Sequence, residues 1–152
     1  IPAYKMGKNW RFQKKALMDW AETYYLRSQS PLVLVIDDDA GVRRVMKRYL
    51  ESDGYRVCLA SDGMDGLMCL NRESVKLILL DLKMEKMDGP AFLREFRKTH
   101  QSLPVIVFTG YPDGDLMVEA LKYGPFTLLA KPIEREQLLQ AVRTAVNGAD
   151  TE

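Results

Sequence analysis

Five short apolar runs, each followed by polar residues, recur along the chain from residue 31 onward and alternate with segments of helical periodicity. Runs of this length and composition are typical of strands buried on both faces. Strands that alternate with helices form a parallel sheet with helices on both sides. The sequence therefore predicts an α/β fold with a doubly wound five-stranded parallel sheet, with strands at residues 32–36, 55–60, 76–81, 104–109 and 126–130.

Glycine and proline delimit the predicted helices. The helix after the first strand has apolar residues at helical spacing and is expected to stop at Gly54. Pro90 suits the first turn of a helix that runs to about residue 99, with Gly89 just before it. The other helices are predicted at residues 62–72, 113–123 and 134–147. We expect Gly124 to end the second of these and Gly148 to end the third.

Residues 1–30 do not share this pattern. They predict two short strands, residues 3–6 and 10–13, around Gly7-Lys8-Asn9, and a helix over residues 14–29. We therefore divide the chain into a short hairpin-plus-helix extension, residues 1–30, and a domain of residues 31–152. The composition, with 47% apolar residues, suffices for a buried core, and no apolar run reaches the roughly 20 residues of a bilayer span.

Polar groups follow four of the predicted strands. Because the carboxyl ends of parallel strands meet at one edge of a sheet, we expect these groups to converge there. They are Asp37-Asp38-Asp39 after the first strand, Asp81 at the end of the third, Thr109 at the end of the fourth and Lys131-Pro132 after the fifth.

Three carboxylates in one cleft repel each other and therefore favour a bound cation. Asp37, Asp38 and Asp81 offer only oxygen ligands, which favours Mg²⁺ over zinc. Such a site suits the transfer of a phosphoryl group to Asp81. Lys131 would supply a second positive charge, and the Thr109 hydroxyl a hydrogen bond to the phosphoryl oxygens.

Residues 31–148 resemble a response-regulator receiver domain of two-component systems. The match lies in Val35-Ile36-Asp37-Asp38-Asp39, Leu79-Leu80-Asp81-Leu82-Lys83-Met84, Met87-Asp88-Gly89, Phe108-Thr109-Gly110 and Ala130-Lys131-Pro132.

The resemblance implies a flavodoxin-like sheet of order 2-1-3-4-5 and a cis bond before Pro132. It implies that Asp81 is the phosphoacceptor, that Asp38 and Asp81 bind Mg²⁺ directly, and that Asp37 binds it through water. The backbone carbonyl of Lys83 would complete the metal site. A histidine kinase or phosphotransfer protein would donate the phosphoryl group in the cytoplasm. Small phosphodonors would also serve, and the phosphoaspartate would hydrolyse slowly.

Two positions depart from the family pattern. Leu128 stands where a Tyr or Phe commonly moves inward on activation, which leaves the aromatic part of the switch open. Glu85 stands where a Pro often follows the phosphoacceptor strand, so we expect a more mobile loop.

The first 30 residues are basic, with a net charge of +4, whereas the remainder carries −3. The segment resembles the wing and following helix of an excisionase-type helix-turn-helix domain, which implies DNA contact. Its recognition helix would precede Ile1, and we expect the chain to be a fragment or processed product because it begins with Ile. The alternatives are packing on the receiver or formation of a homodimer. The candidate phosphate-contacting residues are Lys5, Lys8, Arg11 and Lys14.

Two other functions remain open. A haloacid-dehalogenase-type phosphatase would use Asp37 as nucleophile with Asp39 as its partner, but the chain lacks a later acidic pair and leaves little room for a substrate cap. A receiver-fold interaction module would bind its partners without phosphorylation.

Overall fold

The structure is a computed structural model that describes residues 4–6, 9–11 and 14–150. The chain forms two compact units, Ile1–Ser30 and Pro31–Glu152.

The first unit contains a hairpin and a helix. Strand β1 (Tyr4–Met6) pairs antiparallel with β2 (Asn9–Arg11), and helix α1 spans Lys14–Gln29. Asn9 pairs with Met6 in the ladder, so it belongs to β2 rather than to the predicted turn. Residues 7 and 8 of that turn, and the predicted strand residues 3, 12 and 13, lie outside the described residues.

The second unit is built on a five-stranded parallel sheet in the order β4-β3-β5-β6-β7. Counted within this unit the order is 2-1-3-4-5, which confirms the predicted fold. Every neighbouring pair is parallel. The strands are β3 (Leu32–Ile36), β4 (Arg56–Ala60), β5 (Leu77–Asp81), β6 (Val105–Thr109) and β7 (Thr127–Ala130).

Helices cover both faces of this sheet, and aspartates begin three of them. Asp39, Asp62 and Asp88 each accept a backbone N–H of the first turn, which satisfies donors that have no partner within the helix. The helices are α2 (Ala40–Ser52), α3 (Gly63–Arg72), α4 (Gly89–Arg97), α5 (Asp115–Ala120) and α6 (Arg135–Asp150).

The predicted end of the last helix is wrong, whereas the helical turns before Gly124 do stop at that glycine. Helix α6 continues through Gly148 to Asp150, because a helical glycine costs only about 1 kcal/mol and tertiary packing can offset that cost. Helix α5 is shorter than expected. Gly114 stands at its N-cap, and a 3-10 turn at Leu121–Tyr123 follows it. Gly54 does adopt the left-handed conformation that stops α2, with φ of 90°.

Alternate residues of the central strands fill two apolar layers. Leu34 and Ile78 face one layer, whereas Val35 and Leu79 face the other, and all four are fully buried. This burial explains why the central strands are continuously apolar and why polar side chains begin only where the strands end. None of the helices in the described residues combines the length and apolar character needed to cross a membrane.

Candidate functional site

Three carboxylates converge at the carboxyl edge of the sheet. Strands β3 and β5 are neighbours, with Ile36 opposite Leu80, so Asp37 and Asp81 emerge side by side. Oxygen atoms of Asp37, Asp38 and Asp81 all lie within 4.8 Å of one another. Asp37 and Asp81 are buried, whereas Asp38 is exposed at the mouth of the cleft.

Lys131 places a positive charge against this cluster. Its Nζ lies 3.3 Å from Asp37 Oδ2 and 3.4 Å from Asp81 Oδ1. The side chain also crosses the Phe108 ring, with Nζ 5.2 Å from the ring centroid. The backbone N–H of Lys131 donates to the Thr109 carbonyl, and the bond to Pro132 is cis, as the resemblance implied.

Thr109 ends β6 and is almost fully buried. Its Oγ1 accepts the backbone N–H of Tyr111 at 3.0 Å, which leaves the hydroxyl proton available to another acceptor. The residues that line the cleft are Asp37, Asp38, Asp39, Asp81, Lys83, Met84, Glu85, Thr109, Gly110, Tyr111 and Lys131.

Burial opposes ionisation of the two inner acids. Desolvation, followed by the neighbouring charge of Asp37, raises the pKa of Asp81 to about 6. Desolvation likewise raises the pKa of Asp37, against the lowering effects of the Asp39 N–H and Lys131. Lys131 therefore only partly offsets the negative charge, and a cation bound among the three carboxylates would restore the ionised form.

The donor set fits a hard divalent cation. Carboxylate oxygens from three residues, with one carboxylate open to solvent, suit Mg²⁺, which keeps several waters in its coordination shell. The acidic cluster can thus hold a metal ion.

Asp39 lies outside the cluster. Its carboxylate accepts the N–H groups of Gly41 and Val42 and caps helix α2. This role matches the ordinary preference for Asp at a helix N-cap.

Sequence reasoning missed two residues beside the cleft. Arg43 Nη1 donates to the Asp37 carbonyl at 2.6 Å, and the Tyr111 ring lies under Lys83, with Nζ 5.5 Å from its centroid. Arg43 stands four residues after the N-cap of α2, a spacing that returns its side chain toward the strand end. No comparable pattern in the sequence pointed to Tyr111.

The remaining candidate positions are Leu128 and four basic residues of the first unit. Leu128 is 38% exposed on β7. In the first unit, Lys5 belongs to β1, Arg11 to β2 and Lys14 to the first turn of α1. Lys8 lies outside the described residues.

A 2-1-3-4-5 parallel sheet, with acidic, hydroxyl and ammonium groups at its carboxyl edge, defines the receiver class of α/β proteins. The chain belongs to the response regulator receiver domain family, because the sequence model of that family matches residues 33–143. Residues 33–143 therefore form a response regulator receiver domain, and a basic segment precedes it along the chain.

The chain is similar to named regulators over the receiver region. It is 38% identical over 114 residues to transcriptional regulatory protein GlrR of Escherichia coli (strain K12), which covers 75% of this chain and 26% of that protein. It is 32% identical over 118 residues to the C4-dicarboxylate transport transcriptional regulatory protein DctD of Rhizobium meliloti (strain 1021), covering 78% and 26%. The chain thus spans about a quarter of the length of these relatives.

Solved receiver domains have the same fold. A CheY-like response regulator receiver domain protein from Methanospirillum hungatei JF-1 superposes with a TM-score of 0.76 at 27% identity, covering 81% of this chain and 98% of that one. A response regulator receiver domain protein from Clostridium thermocellum gives 0.73 at 34% identity, covering 80% and 98%.

Proposed function

We propose that the domain accepts a phosphoryl group on Asp81 from a histidine kinase or phosphotransfer protein in the cytoplasm. The observation that carries this proposal is the meeting of three carboxylates within 4.8 Å with an ammonium group 3.3 to 3.4 Å from the two buried ones. A carboxylate nucleophile needs its charge and that of the incoming phosphoryl group offset, and this arrangement supplies both the cation and the metal ligands.

In the proposed transfer, an Asp81 carboxylate oxygen bonds to phosphorus as the phosphorus–nitrogen bond of a phosphohistidine breaks, and the imidazole leaves with the bonding electrons. Mg²⁺ held by Asp37, Asp38, Asp81 and the Lys83 carbonyl would neutralise charge on the phosphoryl oxygens. Lys131 Nζ moves from its carboxylate partners toward a phosphoryl oxygen. The Thr109 hydroxyl donates to another, while its oxygen keeps the Tyr111 N–H.

The test uses a small acyl phosphate donor with Mg²⁺ and intact-protein mass spectrometry. The wild-type chain should gain one phosphoryl group, Asp81→Asn should gain none, and Asp39→Asn should react normally because Asn also caps helices. Chelation of Mg²⁺ should suppress the reaction. An equal adduct on wild type and Asp81→Asn would reject Asp81 as the acceptor.

The proposed output is transcription control. The relatives GlrR and DctD are named transcriptional regulatory proteins. The basic hairpin and helix of residues 1–30 supply positive charge for phosphate contacts, in the manner of an excisionase-type wing. Lys5, Lys8, Arg11 and Lys14 are the proposed contacts. Phosphorylation would act by favouring one of two receiver conformations, which requires contacts that differ between them.

The phosphatase alternative finds less support. It requires Asp39 to act as the partner of Asp37, whereas the Asp39 carboxylate is occupied as the cap of α2. Turnover of phosphate esters that survives in Asp81→Asn but is lost in Asp37→Asn would favour it. An interaction module that works without phosphorylation would show the same partner affinity with and without beryllium fluoride.

A further inference from the structure

The loop between β3 and α2 is held by hydrogen bonds on both sides of Asp38. Before it, Arg43 Nη1 donates to the Asp37 carbonyl at 2.6 Å. After it, the Asp39 N–H donates to Asp37 Oδ1 at 2.8 Å. The loop is also anchored to the sheet, because the Asp37 N–H donates to the Ala60 carbonyl.

The Asp38 carboxylate depends on this framework for its position. It is exposed, and within the described part of the chain it accepts no hydrogen bond. Asp37, by contrast, is fixed through both its own carboxylate oxygens by the Asp39 N–H and Lys131. The backbone on either side of Asp38 must therefore direct its carboxylate toward Asp37 and Asp81.

Arg43 controls the peptide that links Asp37 to Asp38. Its guanidinium binds the carbonyl of that peptide, so rotation of the peptide plane would break a charge-assisted hydrogen bond. The same arginine lies in the first turn of α2, where its own N–H bonds to the Asp39 carbonyl. Helix α2 and the acidic loop are thus tied together through one residue.

We propose that Arg43 is a positioning residue for the metal site: it orients Asp38 before the cation arrives and so strengthens Mg²⁺ binding. This inference rests on the metal role given to the cluster under the proposed function. Preorganised ligands bind more tightly because less freedom is lost on binding.

Positioning by Arg43 and the charge of Arg43 predict opposite changes in Mg²⁺ affinity when this arginine is replaced. A cation beside three carboxylates repels Mg²⁺, so loss of the Arg43 charge alone would tighten metal binding. Loss of the hydrogen bond to the Asp37 carbonyl would weaken it. The direction of the change therefore distinguishes positioning from charge.

The experiment measures Mg²⁺ affinity of the unphosphorylated chain by isothermal titration calorimetry for wild type, Arg43→Met and Arg44→Met. Met preserves much of the length of the side chain without donors. Arg44, exposed at the next position of α2, provides the matched loss of one charge. We expect affinity about tenfold weaker in Arg43→Met, the order expected for one charge-assisted hydrogen bond, and equal or slightly tighter in Arg44→Met.

Phosphorylation kinetics provide a second readout. With a small acyl phosphate donor, Arg43→Met should require more Mg²⁺ for half-maximal rate but regain the wild-type rate when Mg²⁺ saturates. A general loss of structure would lower the maximal rate as well. If Arg43→Met does not fold, Arg43→Ala, which has no side-chain donor and favours the helix, is measured in its place.

Unchanged or tighter Mg²⁺ binding in the Arg43 variant would overturn the proposal, as would an equal weakening in Arg44→Met. These results leave the phosphoacceptor role of Asp81 intact. Failure of the wild-type chain to bind Mg²⁺ at all would instead remove the metal role on which both proposals depend.

Discussion

Asp37 and Asp81 are two buried acids that share one ammonium group. Both lie beside Lys131 Nζ, yet burial raises the pKa of each. The folded state without metal therefore stabilises protonated acids relative to the unfolded chain. Burial of these two carboxylates thus lowers the stability of the metal-free domain.

Asp81→Asn should stabilise the metal-free domain at neutral pH. The pKa of Asp81 is about 6 in the folded state and 3.8 ordinarily, so the folded state binds more protons between these values. The penalty is absent below the ordinary pKa, grows as pH rises through this window and is complete above it. We expect a gain of up to about 3 kcal/mol at pH 7, measured by urea unfolding in the presence of a chelator.

The pH dependence is the control for this prediction. The difference between Asp81→Asn and wild type should shrink as pH falls below 6 and become independent of pH well below 3.8, where both states protonate Asp81. A stability difference that does not change with pH would show that charge burial is not its source.

Residues at strand ends were predictable from the sequence, because order along the chain determines where parallel strands end. Asp37, Asp38, Asp81, Thr109 and Lys131 all line the one cleft. Arg43 was not recognised, because its contact depends on how the side chain folds back over the loop, which apolar periodicity does not report.

At the scale of elements, the loop between β5 and α4 is closed by a tight approach of two backbones. A Cβ on Gly89 would lie 2.7 Å from Leu82 Cα and 3.0 Å from the Asp81 carbonyl oxygen. Its N–H donates to the Leu82 carbonyl at 2.9 Å. Gly89 thus holds the start of α4 against the end of β5, and so fixes the loop that contains Lys83.

Gly89→Ala should destabilise the domain by about 1–3 kcal/mol, the usual cost of overpacking, because main-chain atoms cannot move aside as a flexible side chain can. Urea unfolding measures the effect. Gly110→Ala is the matched control: a Cβ there meets nothing within 4 Å, so its stability should change by less than about 1 kcal/mol. Equal losses in the two variants would contradict the backbone contact as the cause.

Element identity was more predictable than element ends. The five strands of the parallel sheet are defined by apolar runs, and each lies within a residue of its predicted bounds, whereas α6 passes through Gly148. Leu138, Leu139 and Val142 are fully buried along α6 and Val146 nearly so, and packing of this face favours the helix beyond a local stop signal. A rule that considers each glycine separately does not take this tertiary packing into account.

At the scale of the whole molecule, the two units differ in charge, with +4 in residues 1–30 and −3 in the remainder. The first unit contains the predicted element types, two strands and a helix, although Asn9 lies in β2 rather than in the turn. The proposed DNA role of this unit depends on charge and resemblance rather than on a described side-chain arrangement. A test of this role must therefore separate basic residues of the first unit from those of the receiver.

The chain should bind duplex DNA weakly, with an affinity that falls as salt rises, because each phosphate contact releases a counterion. Replacing Lys5, Lys8, Arg11 and Lys14 by Gln should reduce the slope of log affinity against log salt by up to about 3.6, at about 0.9 for each phosphate no longer neutralised. Replacing the exposed receiver residues Lys47, Lys86, Lys98 and Lys122 by Gln removes the same charge and serves as the control. Fluorescence anisotropy with a labelled duplex of arbitrary sequence measures both slopes.

The two quadruple variants distinguish specific contacts from net charge. If they bind equally weakly, net charge explains the binding and the proposed contacts of the first unit are wrong. If only the first variant binds more weakly than wild type, the basic segment is the DNA-contacting part of this chain.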